Sequence, residues 1–310
     1  MEDKLRMVSP MERALYLRSL PSLRGLTPEA LSLLARNARE RSFRKGSALA
    51  GPGEKVGSFH LVVEGRVRAE GGEHGGEVLG PREVIGYHSM LALGEEEFSA
   101  VAEADTTTLE IDFEDLKDMF EDQFLVLHHE FRAVTGRMLR LRRDIPDGTY
   151  LAPAEGILEP PGHRLDLMER VLFLTRGGAF GRSNMDAIVE LARTAEEVRF
   201  APGTVLWEKG ETSGFFYHVI EGTVRAVVEE GRAFRAGPGY PIGNLESLAG
   251  EPRWYRAGTE TDLVALRSET DTTIDLLEDH FEMAMRLLGS FSTGLIRLLE
   301  ERRRKAAAVA

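Results

Sequence analysis

The sequence predicts two tandem copies of one mainly β domain with flanking helices, each copy ending in a long helix. Three observations carry this expectation. A shift of 157 residues lays the first half on the second without a gap over most of its length, so that Leu34-Ala35-Arg36 meets Leu191-Ala192-Arg193, Glu64-Gly65 meets Glu221-Gly222, and Ile85-Gly86 meets Ile242-Gly243. Between helical stretches, each copy reads as short β-branched and aromatic runs broken by glycine and proline. Each copy then closes on apolar residues spaced alternately by three and four.

In chain order, Met11 to Leu20 and Pro28 to Ala38 carry apolar residues at helical spacing, and Thr27-Pro28-Glu29 supplies an N-cap followed by proline at the first helical position. From Ser42 to Ile111 the text becomes strand-like, with Phe59-His60-Leu61-Val62-Val63 and Arg66-Val67-Arg68 separated by Gly51-Pro52-Gly53 and Gly71-Gly72. Many short strands at close intervals predict a compact roll or sandwich. The second copy repeats the pattern through Phe215 to Ile220, Gly231 and Gly237-Pro238-Gly239.

The closing helices carry matching seams: Phe124, Leu127, Phe131, Val134, Met138 and Leu141, then Phe281, Ala284, Leu288, Phe291, Leu295 and Leu298. These seams either pack on their own β domain, pair with each other inside one chain, or serve a homodimer or protein partner through helices 123–142 and 280–301. The proline- and glycine-containing stretch 144–166 reads as a linker, which divides the chain into domains at 1–143 and 167–310.

Composition narrows the function. The chain is 42% apolar and 29% charged, which fits globular domains rather than disorder. No apolar run approaches membrane-spanning length and the N-terminus does not read as a signal peptide, so a cytoplasmic address is expected. A net charge of -12 opposes general nucleic-acid binding. The basic runs Arg137 to Arg143 and Arg302 to Lys305 read as helix-end cations that complement the macrodipole. Cysteine is absent, so no thiolate chemistry or zinc knuckle arises.

One segment, Pro241 to Arg253, reads as built for a ligand. Gly243 lets the backbone turn so that the N–H groups of the following helical turn face an anion, and Arg253 adds a planar fork of donors. With this segment the order of short helices, punctuated strands, Ile-Gly turn, Pro-Arg and terminal helix pair resembles the cyclic nucleotide-binding domain superfamily, which includes catabolite activator proteins and regulatory subunits of cyclic-AMP-dependent kinase. The resemblance covers both repeats. It implies an eight-stranded jelly roll, a double-stranded β-helix, in each, and a cyclic nucleotide, cyclic AMP or cyclic GMP, as ligand.

Carried over residue by residue, the resemblance makes Gly243, Asn244, Leu245, Arg253, Trp254 and Tyr255 the candidate site of copy two. The phosphate would meet the turn and Arg253. Asn244 stands where a glutamate usually accepts from the ribose hydroxyl, and Trp254, Tyr255 and Arg256 stand where small residues are usual, so two aromatics could fill the cavity outright. Copy one has Gly86-Tyr87-His88-Ser89 in the turn and Glu96 at the position of Arg253, a change of sign that repels a phosphate by roughly 4 kcal/mol at about 4 Å and an effective dielectric of 20.

Other chemistry finds little support. His128-His129-Glu130 places adjacent imidazoles on different helix faces, so no metal is expected there. His60 and His218 sit in matching strands and read as structural. No nucleophile elbow, P-loop or dinucleotide fingerprint occurs in its required context, so no enzyme is expected. Nor does the text after the last seam residue leave room for the helix-turn-helix DNA reader of catabolite-activator relatives. Two functions stand side by side. One is a regulatory sensor that binds a cyclic nucleotide or another small anion in copy two; the other is a ligand-independent scaffold that works through protein contacts.

Overall fold

The computed structural model describes residues 9–20, 26–92, 97–146, 148, 150, 162–176 and 184–309. The chain forms two compact units, Met1–Glu130 and Phe131–Ala310.

The first unit opens with α1 (Pro10–Arg18), whose Ser9 cap and Glu12 form a reciprocal capping box, and α2 (Pro28–Asn37), capped by the Thr27 hydroxyl. Both helices end a residue or more before the sequence limits of Leu20 and Ala38. The strands are β1 (Arg39–Phe43), β2 (Ala48–Ala50), β3 (Ser58–Glu64), β4 (Val67–Gly71), β5 (Glu77–Leu79), β6 (Val84–Ile85), β7 (Phe98–Ala102) and β8 (Thr106–Asp112). A short helix, α3 (Tyr87–Leu91), follows the Ile-Gly turn. The strands make two four-stranded sheets, ordered β1-β8-β3-β6 and β2-β7-β4-β5, and every pairing is antiparallel. Helices α4 (Phe113–Asp122) and α5 (Phe124–Asp144) close the copy.

The second copy repeats this order. After α6 (Leu167–Arg176) and α7 (Met185–Thr194) come β9 (Glu196–Phe200), β10 (Val205–Trp207), β11 (Phe215–Glu221), β12 (Val224–Glu229), β13 (Arg232–Ala236) and β14 (Pro241–Ile242). They are followed by α8 (Asn244–Ala249), β15 (Arg256–Thr259), β16 (Leu263–Glu269), α9 (Thr270–Asp279) and α10 (Phe281–Val309). Its sheets are ordered β14-β11-β16-β9 and β10-β15-β12-β13, strand for strand the arrangement of the first copy. The roll expected from the spacing of strands and turns is therefore present twice. The shared Glu-Gly pair has a physical reason: each ends its strand at a register shift, and its glycine, at φ +90 or +87, lies so close to the carbonyl of Asp105 or Asp262 that a Cβ would sit 2.5 or 2.0 Å from that oxygen.

The expected seams are buried at Leu127, Phe131, Val134, Met138 and Leu141 on α5 and at Ala284, Leu288, Phe291, Leu295 and Leu298 on α10, and half-buried at their first residues, Phe124 and Phe281. Residues 131–144 of α5 belong to the second unit and pack there against α10. Phe131 meets Phe291 edge to face at 6.3 Å, and the methyl of Met138 lies over Gly294.

Candidate functional site

The site of the second unit starts from Gly243, which sits at φ +85 and turns the chain from β14 into α8. A Cβ there would lie 2.4 Å from Nη1 of Arg253 and 3.1 Å from the ring of Trp207, so glycine is required by close approach as well as by backbone angle. Arg253 is 1% exposed. Its guanidinium donates to the carbonyl of Gly243 at 2.8 Å and to the carbonyl of Phe215, and it lies 4.2 Å over the Trp207 ring. Its backbone is pinned as well, exchanging hydrogen bonds with the turn at Gly210 and Glu211. The arginine thus ties α8 to β11 instead of pointing into an open cradle.

The anion beside this guanidinium is internal. Glu246, 2% exposed, stands in the first turn of α8, where Arg253 and Arg142 are the positive charges that attract its carboxyl. Burial raises the Glu246 carboxyl and lowers the Arg253 guanidinium, and the attraction between them offsets part of each change.

A cavity of about 20 Å³ lies next to this pair, lined among others by Arg142, Tyr150, Tyr240, Asn244, Trp254 and Tyr255. That is room for about one water molecule. Asn244, Leu245, Trp254 and Tyr255 are all buried, as two filling aromatics require. Trp254 stacks on Phe234 at 5.8 Å and meets Tyr255 edge to face at 5.1 Å. Gly243, Asn244, Leu245, Trp254 and Tyr255 therefore come together around one cavity, whereas Arg253 lies on the other side of Gly243 and does not line it.

The cation that does face the cavity is Arg142. Arg142 and Arg143 stand in the last turn of α5, as the helix-end reading expects, but Arg142 does more: it is buried, donates to the carbonyl of Gly148 at 2.5 Å and to the Tyr240 hydroxyl at 3.0 Å, and lies 4.6 Å over Phe234. The repeat contained a signal for it, since the shift that aligns the copies sets Arg142 against the apolar Leu299. Tyr150, Phe234, Tyr240 and Trp207 carried no comparable signal. The linker expected over 144–166 is partly built into this core, for Ile145, Gly148 and Tyr150 are buried; residues 151–161 lie outside the described ones.

In the first unit the corresponding turn, Gly86 at φ +77 followed by α3, holds a different anion. Glu73, from the turn between β4 and β5, accepts from the backbone N–H of His88 at 3.0 Å and of Ser89 at 3.2 Å, and from the Ser89 hydroxyl at 2.5 Å. Burial works to raise its carboxyl, but His88, His74 and the Ser89 bond outweigh burial and hold it below its ordinary value. Gly72, at φ +49, makes the insertion possible, because a Cβ there would meet the Ser89 hydroxyl at 2.3 Å. Glu96 lies outside the described residues.

His60 is buried in β3 with its Nδ1 3.1 Å from the Thr108 hydroxyl, and His129 bonds the carbonyl one turn before it. Among the described residues no cluster of histidine and carboxylate is arranged to hold a metal ion, and no helix is long and apolar enough to cross a membrane.

Residues 40–123 and 197–280 match the family model of the cyclic nucleotide-binding domain. The chain is 32% identical over 129 residues to the cyclic AMP receptor protein of Thermus thermophilus, a match that covers 40% of this chain and 59% of that protein. The matched part thus spans about three fifths of the relative's length. Among solved structures, the chain is similar to the regulatory domain of Toxoplasma gondii protein kinase A with cAMP, at 13% identity and a TM-score of 0.32 over 96% of this chain and 97% of that one. It is also similar to the regulatory subunit of a cAMP-independent protein kinase A from Trypanosoma brucei, at 13% identity and a TM-score of 0.32 over 98% and 91%.

Proposed function

The chain belongs to the cyclic nucleotide-binding domain family, and from that premise we propose that it is a regulatory protein, not an enzyme, whose two anion cradles are closed by its own side chains. It acts through protein contacts and does not respond to cyclic AMP, cyclic GMP or another small anion. The observation that carries this reading is Arg253: a buried guanidinium, stacked on Trp207 and bonded to two backbone carbonyls. For a phosphate to bind, Arg253 would have to leave both carbonyls and the Glu246 carboxylate would have to leave the turn, while Trp254 and Tyr255 made room for a ribose and a base. The repeat-based domains of the sequence, 1–143 and 167–310, are part of the proposal, with the stretch 144–166 joining them and lending its first residues to the second core, as is a protein partner met in the cytoplasm. The outer faces of the rolls are the surfaces left for that partner, since the expected seams of α5 and α10 are spent on their own core.

Isothermal titration of the full chain with cyclic AMP and cyclic GMP tests the proposal. No heat of binding and no change in melting temperature at millimolar nucleotide is the expected result. Saturable binding with a matching rise in melting temperature would overturn it in favour of a sensor.

A further inference from the structure

The closed cassette of the second unit contains a group that its own turn and helix do not supply. Tyr150 comes from the stretch that follows α5, yet it lines the cavity beside α8, and the residue is 3% exposed. Its hydroxyl donates to Oδ1 of Asn244 at 2.8 Å, its ring meets Tyr240 edge to face at 5.5 Å, and the Arg142 guanidinium lies 5.5 Å from the ring centre. Hydrogen bond, ring packing and cation are the three elements by which a protein recognises a planar polar ligand.

The seat under this residue is also shaped for it. Gly294 lies in the interior of α10, where glycine is a poor helix former. A Cβ at that position would sit 2.5 Å from the carbonyl oxygen of Tyr150 and 3.2 Å from its Cβ, so the glycine keeps open the space in which the Tyr150 backbone rests. Gly148 is close in the same way, with a Cβ there falling 2.9 Å from Leu298. Any buried tyrosine needs an acceptor for its hydroxyl as well as apolar walls for its ring. Tyr150 has in addition a cation and a glycine seat on a neighbouring helix.

We propose that Tyr150 is the resident occupant of the second cassette, an intramolecular ligand, and that the site it fills recognises a planar ring carrying a hydroxyl donor. The proposal rests on the closed-cassette reading above and names what closes it. Asn244 is then the specificity residue, since its Oδ1 requires a donor that a plain hydrocarbon ring lacks.

The test is thermal unfolding of the full chain carrying Tyr150→Ala, with phenol as probe and toluene as its counterpart without a hydroxyl. The variant should melt lower than the unaltered chain, and phenol should raise its melting temperature with the logarithm of phenol concentration above Kd, binding roughly fivefold tighter than toluene for the one added hydrogen bond. The unaltered chain should respond to neither. A folded variant that phenol does not stabilise, or that both compounds stabilise equally, overturns the proposal. If Tyr150→Ala does not fold alone, both compounds are added during refolding; recovery of the native gel-filtration volume with phenol only supports the proposal, and any other result overturns it. Gly294→Ala reads the seat independently: it should lower the melting temperature in spite of alanine's better helix propensity, and a rise would overturn the proposal. Failure of the closed-cassette reading would show instead as nucleotide-dependent stabilisation of the unaltered chain, which the phenol comparison does not measure.

Discussion

The two cradles begin with the same Ile-Gly turn and short helix, and each receives a carboxylate from a different part of the chain. In the first unit Glu73 reaches in from the turn between β4 and β5, so the anion links α3 to a strand connection fifteen residues away. In the second unit Glu246 is a residue of the short helix itself, and its counter-charge, Arg253, is bonded to β11. The backbone N–H groups at such a turn are buried and need acceptors whether or not a ligand exists. A carboxylate from the chain meets that need permanently, so the turn can persist as part of the fold. The difference lies in where the closure is anchored: by a loop in the first unit, by a cation bonded to backbone carbonyls in the second.

The strongest way to break this comparison is Arg253→Ala. It removes two charge-assisted bonds to buried carbonyls and the Trp207 stack, which should cost about 3 kcal/mol. Differential scanning calorimetry should show the melting of the second unit fall while that of the first stays in place; an unchanged profile would mean that Arg253 does not anchor the closure. Glu73→Ala is the counterpart in the first unit. It strips the acceptor from the N–H groups of His88 and Ser89 and should cost about 2–3 kcal/mol, confined to the first transition. Loss from the second transition would sink the assignment of separate closures.

A smaller effect separates the local role of Gly243 from the wider one of Arg253. Gly243→Ala forces a left-handed backbone angle on alanine and a Cβ into Nη1 of Arg253, for an expected loss of about 2 kcal/mol from the second unit. If Gly243→Ala combined with Arg253→Ala costs much less than the sum of the two, the glycine serves the arginine; if the losses add, it serves the turn alone.

Much of the fold was legible because the repeat doubled every signal. Glu64-Gly65 and Glu221-Gly222 could be set side by side, and both prove to be strand ends where only glycine fits against a facing carbonyl. The seams were legible because burial on a helix leaves a period, and Leu127 to Leu141 and Ala284 to Leu298 keep it. The candidate site was legible only in its turn. Trp254 and Tyr255 could be read as bulky where space is needed, but the direction of the Arg253 fork, away from the cavity and toward Gly243 and Phe215, depends on tertiary contacts that no spacing encodes. Arg142 and Tyr150 were hidden for another reason: a basic helix end and a loose linker are the commonest settings for such residues, and here both are buried in a polar core.

The smallest expected effect sharpens the contrast through pH. Burial pushes the Glu130 carboxyl in the first unit up to about 7, with the Tyr87 hydroxyl its hydrogen-bond partner. The folded state therefore keeps a proton that the unfolded chain releases near pH 4.5, so the stability from this group is fully present below about pH 4.5 and is lost as pH rises through about 7. In the second unit burial lowers His218 to about 4, against about 6.5 when unfolded. Here the unfolded state binds the extra proton, so the stability is present above about pH 6.5 and is lost as pH falls through about 4. Through these two groups the first unit should weaken toward the alkaline side and the second toward the acid side, against the opposite pulls of Glu73 in the first unit and Glu246 in the second. Calorimetry between about pH 4 and pH 8 reads both transitions, and Glu130→Gln and His218→Gln should each flatten one slope and leave the other. Parallel slopes in the unaltered chain would show that these two groups do not set the difference between the units.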